Sequence, residues 1–314
     1  MTPAIPFICA PGYAFAEPWR AALQAAMPLE RIVALESLDE PARAACEFAI
    51  VANPDTRDLA TLPQLKWVHS VWAGVERLVE DLQHSPVEIV RLVDPQLAET
   101  MAEAVLAWTL YLHRDMPRYA RQQAAGQWLE HDYVRPQDKT VALLGLGELG
   151  LASAARLLAA GFQVSGWSRS RKAVPGVQCF AGDEELPALL AGADILVCLL
   201  PLTPQTRDML DAPMLAHLKP GAALINFARG AIIDDHALRA ALDSGQLAHA
   251  VLDVFRAEPL PAAQWQWQHP QVTVLPHISG PTNRGTAAAI VAANVGRYRA
   301  TGALPVVVDK QRRY

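Results

Sequence analysis

The run KTVALLGLGELG, residues 139–150, constrains this chain more than any other stretch. Val141 to Leu144 form a short apolar run of strand type, Gly145, Gly147 and Gly150 follow in G-x-G-x-x-G spacing, and a helical pattern covers Ala152 to Ala160. A strand that turns on glycines straight into a helix leaves the first N–H groups of that helix free at the strand's carboxyl end, where they can hold a diphosphate. Gly145 permits the tight turn, Gly147 lets a ligand approach the backbone, and Gly150 allows close packing of helix on strand. With Glu148 and Leu149 between the second and third glycines, the stretch reads as a dinucleotide-binding turn.

The surroundings agree. After Pro136 strand-like runs recur in KTVALLGLGELG, QVSGWSR, DILVCLL, AALINFA, HAVLDVF and VTVLPHI, a six-strand count, with helical patterns between them. The first third alternates in the same way, with apolar runs at Phe7 to Cys9, Phe48 to Val51, Trp67 to Ser70 and Ile89 to Leu92 and an amphipathic stretch at Glu17 to Ala26. Strands separated by helices pair in parallel through right-handed crossovers. The expected fold is therefore α/β, with two doubly wound parallel-sheet domains: a Rossmann-type cofactor domain at 97–284 and a flavodoxin-like substrate domain at 1–96 and 285–314. A long helix from Gln96 to Tyr119, stopped by Pro117 and Gly126, is expected to hinge them, and a final helix, Gly285 to Tyr298, to pack back on the first domain.

Composition excludes several classes. At 52% hydrophobic and 19% charged the chain reads as an ordinary globular protein, and a net charge of -5 offers no basic face for nucleic acid. The arginine-bearing tail after Asp309 reads as a solvated terminus. Pro3, Pro6 and Pro11 interrupt the only candidate signal segment, and the apolar run Ile195 to Leu200 is too short to cross a bilayer. Cys9, Cys46, Cys179 and Cys198 lack paired spacing, so neither a metal site nor a disulfide framework is expected, which fits a cytoplasmic protein.

The choice of nicotinamide cofactor is made at the end of the second strand, where an acidic side chain normally holds the ribose 2′-hydroxyl. Here the segment is WSRSRK, which offers Ser168, Arg169, Ser170, Arg171 and Lys172 and no acid. Guanidinium groups bind phosphate bidentately, so NADPH is expected, with NADH a weaker possibility.

Three residues past the ends of apolar runs could do chemistry: Arg229 in INFARG, Glu258 in LDVFRAEPLP and His277 in VLPHISG. An arginine there could hold a carboxylate or carbonyl oxygen, and a carboxylate beside a histidine would keep the imidazole protonated near neutrality. Taken singly, two of them have plainer readings, a surface ion pair for Arg229 and a loop cap for His277.

The order GLGELG, WSRSRK, NFARG, LDVF, EPLP and PHISG resembles the D-2-hydroxyacid dehydrogenase family, most closely its glyoxylate/hydroxypyruvate reductase A branch, and the resemblance covers essentially the whole chain. It implies that Arg229 binds substrate, that His277 is the catalytic acid/base and that Glu258 is its paired acid. It also implies cofactor contacts at Leu200, Pro201, Thr206, Ala228 and Asp253, the last through the carboxamide. VWAGVE resembles the family loop whose backbone N–H groups bind the substrate carboxylate, giving that role to Gly74 and Val75, with Trp72 and Ala73 beside them in the substrate site; Trp72 either narrows the pocket toward two- or three-carbon acids or is a core aromatic, and Glu76 stands where the family often has Asp. The long helix and the arm GQWLEHDYVRPQ, carrying Trp128, resemble the family's dimerisation elements, which implies a homodimer; Trp128 packing on its own subunit is the alternative.

The expected function is thus an NADPH-preferring reductase of small 2-keto acids, turning glyoxylate into glycolate and hydroxypyruvate into D-glycerate. Two other readings stay open at this point: an NAD-dependent D-2-hydroxyacid dehydrogenase for a larger substrate, and a dinucleotide-sensing binding protein.

Overall fold

In the N-terminal part of the chain, runs of apolar residues become strands buried on both faces. The structure, a computed structural model, describes residues 3–311; Arg312 and Arg313 of the tail lie outside the described residues. The chain divides into two units, one running to Gln96 and resuming at Thr282, the other Leu97–Pro281.

The first unit contains β1 (Ile5–Cys9), α1 (Ala16–Ala26), β2 (Ile32–Ala34), α2 (Glu40–Ala44), β3 (Phe48–Ala52), α3 (Thr56–Leu59), β4 (Trp67–Ser70), α4 (Glu76–Asp81) and β5 (Glu88–Val90). The strands pair in parallel in the order β2-β1-β3-β4-β5, the flavodoxin-like arrangement. Neighbours on one strand feed different cores: Ala49 packs with Ile8, Val68 and Ile89 on one face, Ile50 with Phe7, Trp19 and Trp67 on the other. The three-residue β2 has too short an apolar run to stand out in the sequence. β5 ends two residues before the expected Leu92, whose N–H bonds instead to the Trp72 carbonyl at 3.0 Å.

The expected single long helix is two, α5 (Pro95–His113) and α6 (Met116–Ala124). The break falls at Asp115, which sits in the left-handed region at φ 53°. Pro117 is not the stop signal expected of it: it lies in the first turn of α6, where a missing N–H costs nothing.

The remainder comprises β6 (Thr140–Leu144), α7 (Glu148–Ala159), β7 (Gln163–Ser168), β8 (Val177–Ala181), α8 (Gly182–Gly192), β9 (Ile195–Cys198), α9 (Ala212–Ala216), β10 (Ala222–Asn226), α10 (Asp235–Asp243), β11 (Leu247–Leu252) and β12 (Val272–Val274). They form a parallel sheet ordered β12-β11-β10-β9-β6-β7-β8. The sheet has seven strands, not the six expected. The strand missed is β8, an edge strand with no fully buried residue and so no apolar run to betray it. Leu143 and Leu144 serve opposite cores, with Leu157 and Val197 on one face and Leu196 and Leu238 on the other; burying one such side chain contributes roughly 1.5–3 kcal/mol.

The last helix, α11 (Arg284–Thr301), belongs to the first unit. Asn283 caps it by accepting from the Gly285 and Thr286 N–H groups, and Ala287, Val291 and Val295 join the core around Ile5 and Trp67. No helix among the described residues is long and apolar enough to cross a membrane.

Candidate active site

Order reverses in the second sheet between β6 and β9, and ligands of such sheets bind at the carboxyl ends of the strands beside that point. The glycine turn stands there. Gly145 adopts φ +107°, and a Cβ on Gly150 would lie 1.9 Å from the Gly145 carbonyl oxygen, so the turn and the helix start interlock through backbone alone. A Cβ on Gly147 would meet nothing within 4 Å, so no internal packing demands a glycine there and the backbone lies open to a ligand. Glu148 and Leu149 open α7, whose first N–H groups have no acceptor inside the helix. These features fit a dinucleotide diphosphate.

β7 ends on Ser168, whose hydroxyl donates to the Ser170 carbonyl at 2.8 Å, and the turn that follows carries Arg169 and Ser170 exposed. Arg171 is held by Glu185 and by the Cys179 carbonyl, 3.2 Å away. Lys172 crosses to the glycine turn and donates to the Leu146 carbonyl at 2.6 Å. The basic segment therefore lies beside the turn, its position tied down by Lys172. Past β9, Leu200 is buried and Pro201 half-buried. The Thr206 hydroxyl is engaged within its own loop, donating to the Pro201 carbonyl at 2.7 Å and accepting from the Thr203 N–H at 2.8 Å.

β10, β11 and β12 bring the chemical residues to the same edge of the sheet. After β10 the Asn226 side chain folds the turn back on itself: its carbonyl oxygen accepts from the Ala228 N–H and its amide donates to the Arg229 carbonyl, both at 3.1 Å. Ala228 is buried, and Arg229 leaves the turn half-buried with one guanidinium N–H on the Ala228 carbonyl at 2.6 Å. Gly230 then packs against the loop after β11 so closely that a Cβ would lie 2.1 Å from the Phe255 carbonyl carbon. Arg256, in that loop, pairs with Asp208 and Asp235 and donates to the Ile233 carbonyl at 2.8 Å.

Glu258 and His277 meet directly. The His277 Nδ1 lies 2.8 Å from Glu258 Oε2, while Oε1 accepts from the Phe255 N–H at 2.9 Å. A carboxylate only accepts, so Nδ1 carries its proton and Nε2 is left for another partner. The Glu258 hydrogen bond raises the His277 pKa above its ordinary value; partial burial and the Arg229 charge oppose this without cancelling it. Burial pulls Glu258 upward, but the bonds from His277 and Phe255 outweigh it and the carboxyl is held low. His277 itself has a left-handed backbone, φ 54°, an uncommon state for a non-glycine residue. Asp253, buried just past β11, sustains it: its two carboxylate oxygens accept from the Ile278 and Ser279 N–H groups at 2.7 and 2.9 Å.

In the first unit, the loop after β4 carries Trp72, Ala73, Gly74 and Val75. Trp72 is half-buried and meets Tyr13 and Trp19 edge-on, at centroid distances of 6.3 and 5.6 Å. The Ala73, Gly74 and Val75 N–H groups have no acceptor among the described residues. Asn226, Gly230 and the Phe255 N–H escaped sequence reasoning; the only trace was that Asn226 and Gly230 flank Arg229 in NFARG.

Glycine turn, basic β7 terminus and an imidazole–carboxylate pair near an arginine together define a nicotinamide-dependent dehydrogenase of the α/β class. Residues 106–279 match the family described as "D-isomer specific 2-hydroxyacid dehydrogenase, NAD binding domain". The glyoxylate/hydroxypyruvate reductase A of Serratia proteamaculans (strain 568) is 40% identical over 301 residues, 94% of this chain and 95% of that one. Among solved structures, a D-isomer specific 2-hydroxyacid dehydrogenase from Xanthobacter autotrophicus Py2 in complex with NADPH and MES superposes with a TM-score of 0.92 at 38% identity, covering 99% of this chain and 100% of that one. The NADPH-dependent glyoxylate/hydroxypyruvate reductase of Sinorhizobium meliloti, in complex with NADP and sulfate, gives a TM-score of 0.89 at 32% identity, covering 99% and 100%. The chain belongs to the D-isomer specific 2-hydroxyacid dehydrogenase family.

Proposed function

We propose that this enzyme is an NADPH-preferring reductase of small 2-keto acids, converting glyoxylate to glycolate and hydroxypyruvate to D-glycerate. The observation that carries the proposal is the Glu258–His277 pair, 2.8 Å apart, at the same sheet edge as Arg229. Residues 97–284 form the cofactor domain, and 1–96 with 285–314 the substrate domain. Gly145, Gly147, Glu148, Leu149 and Gly150 hold the diphosphate of the cofactor. Ser168, Arg169, Ser170 and Arg171 take the 2′-phosphate, while Leu200, Pro201, Thr206, Ala228 and Asp253 border the remainder. Bound NADPH supplies the hydride that reduces the keto carbon.

Arg229 holds the carbonyl side of the substrate through charge-assisted bonds, and the Ala73, Gly74 and Val75 N–H groups take its carboxylate, with Trp72 narrowing the space toward two- and three-carbon acids. His277 gives the proton on Nε2 to the developing alkoxide oxygen. Glu258 keeps that imidazole protonated beforehand and correctly turned, since the pair is stabilised most when one partner is cationic and the other anionic. The exposed arm residues Trp128, Leu129 and Tyr133 support a homodimer in which a second copy covers them, and four free cysteines support a cytoplasmic enzyme.

Steady-state oxidation of NADPH and NADH with each acid tests the reading. Turnover favouring NADPH and falling about 100-fold to 10,000-fold in His277→Ala is expected. Binding of NADPH without reduction of either acid would sink the substrate assignment and leave a sensing role or a larger keto acid.

A further inference from the structure

The loop that carries Trp72 to Val75 begins at a buried histidine whose two ring nitrogens are both engaged. His69 lies in β4, inaccessible to solvent. Its Nδ1 is 2.9 Å from the carbonyl oxygen of Ser70, the last residue of the strand, and its Nε2 is 2.9 Å from the side-chain amide nitrogen of Asn294, in α11 and 225 residues away. A carbonyl oxygen only accepts, so Nδ1 carries the proton. Burial presses the imidazole pKa down to about 4, so the ring is neutral and Nε2 is the acceptor for an Asn294 N–H. One protonation state and one tautomer satisfy every partner.

The bonding continues into the loop. The Ser70 hydroxyl accepts from the Trp72 N–H at 3.0 Å, and the Trp72 carbonyl accepts from the Leu92 N–H at 3.0 Å. Up to Trp72 the backbone is therefore held from both sides. Beyond it, the N–H groups of Ala73, Gly74 and Val75 have no acceptor among the described residues. A rigid approach to a stretch of open N–H groups is what a preformed anion-binding turn requires, because donors already aimed at the ligand lose little freedom on binding it. Hydrophobic packing alone would have been met by a leucine or phenylalanine at position 69 at lower cost than a buried imidazole.

We propose that Asn294 and His69 form a positioning relay that fixes the Ser70–Trp72 backbone and so keeps the N–H groups of the following loop aimed at the substrate carboxylate. The relay rests on the reading of that loop given under Proposed function. His69 touches neither substrate nor cofactor; it acts through Ser70 and Trp72. The carboxylate is bound alike in ground state and transition state, so disturbing its seat raises KM for the keto acid more than it lowers kcat.

The test is steady-state kinetics of the NADPH-loaded enzyme with glyoxylate for His69→Phe, His69→Asn, Asn294→Ala and Gly74→Ala, beside thermal melts and NADPH titrations. His69→Phe keeps the ring and removes both bonds; His69→Asn can restore the donor to the Ser70 carbonyl. The expected result is a KM for glyoxylate about 10-fold higher in His69→Phe and Asn294→Ala, with kcat and NADPH affinity within about 2-fold and partial recovery in His69→Asn. If His69→Phe does not fold, Asn294→Ala, which changes a half-buried helix position, carries the same readout. An unchanged KM in the relay variants while Gly74→Ala raises it overturns the relay and leaves the loop reading intact. An unchanged KM in Gly74→Ala as well overturns the loop reading. Loss of kcat, glyoxylate KM and NADPH affinity together in the relay variants overturns the proposal in favour of a general structural role.

Discussion

The carboxylate of Glu258 holds the imidazole of His277 at 2.8 Å across nineteen residues of chain, and its other oxygen is fixed by the Phe255 N–H at 2.9 Å. The pair thus has its orientation set from the protein side before any substrate arrives. Nδ1 is committed to the carboxylate, which leaves Nε2 for another partner.

This relationship determines a pH profile. The folded-state pKa of His277 lies above its ordinary 6.5, so reduction, which consumes the Nε2 proton, proceeds at full kcat/KM at low pH and falls about tenfold per unit above a midpoint higher than 6.5. Glu258→Gln removes the charge that raises the pKa, and the midpoint moves to lower pH with a loss of rate of about 100-fold. A midpoint that stays in place in Glu258→Gln would exclude electrostatic coupling of the two.

Linkage gives the same pair a signature in stability. Because His277 is raised, its contribution is complete below its unfolded pKa and disappears as pH climbs through the folded one; because Glu258 is lowered, its contribution is complete above its unfolded pKa and disappears as pH falls through the folded one. The pair therefore stabilises most between the ordinary carboxylate and imidazole values. Wild type and Glu258→Gln should differ in melting temperature most within that window and converge at either side.

Gly230→Ala should be as damaging as a change in the reacting residues themselves. The added Cβ would lie 2.1 Å from the Phe255 carbonyl carbon and 2.5 Å from the Arg256 nitrogen, both backbone atoms that cannot swing aside. The loop bearing Glu258 must shift, with a loss of stability of about 2 kcal/mol and of kcat of about 100-fold. Circular dichroism melts and kcat report the two effects; an unaffected variant would show that the two loops move independently.

Asp253→Asn tests the support under His277. An amide has one oxygen where the carboxylate offers two, so one of the Ile278 and Ser279 N–H groups loses its acceptor in a buried setting. Destabilisation of about 2 kcal/mol is expected, together with a fall in kcat, since these two bonds brace the residues that follow the left-handed His277 backbone. Full kcat in the variant would show that this backbone is held by other means.

At the other end of the site, Arg169→Ala should raise the KM for NADPH by about 10-fold while leaving NADH little changed, because only the former carries the 2′-phosphate that a guanidinium can grip. An equal rise for both cofactors would place Arg169 against the adenosine instead.

Local order carried much of this protein in plain view. The strand, glycine turn and helix at 140–159 are readable because each obeys a short-range rule; Arg229, Glu258 and His277 stood out as candidates because parallel strands end where ligands bind, but their roles came from the order of motifs that resembles the family. The sequence likewise determined two parallel α/β sheets and a basic turn after the second strand of the cofactor sheet. It did not disclose β8, whose half-exposed residues form no apolar run, or the left-handed Asp115 that splits the long helix, since a single αL residue leaves no periodic mark. Tertiary structure alone decided that Glu258 meets His277, that Asp253 braces the backbone behind it, that Gly230 must yield to Phe255, and that His69 finds Asn294 225 residues on. Propensity and periodicity act over a few residues, whereas a hydrogen bond between distant loops exists only once the whole sheet has brought their ends together.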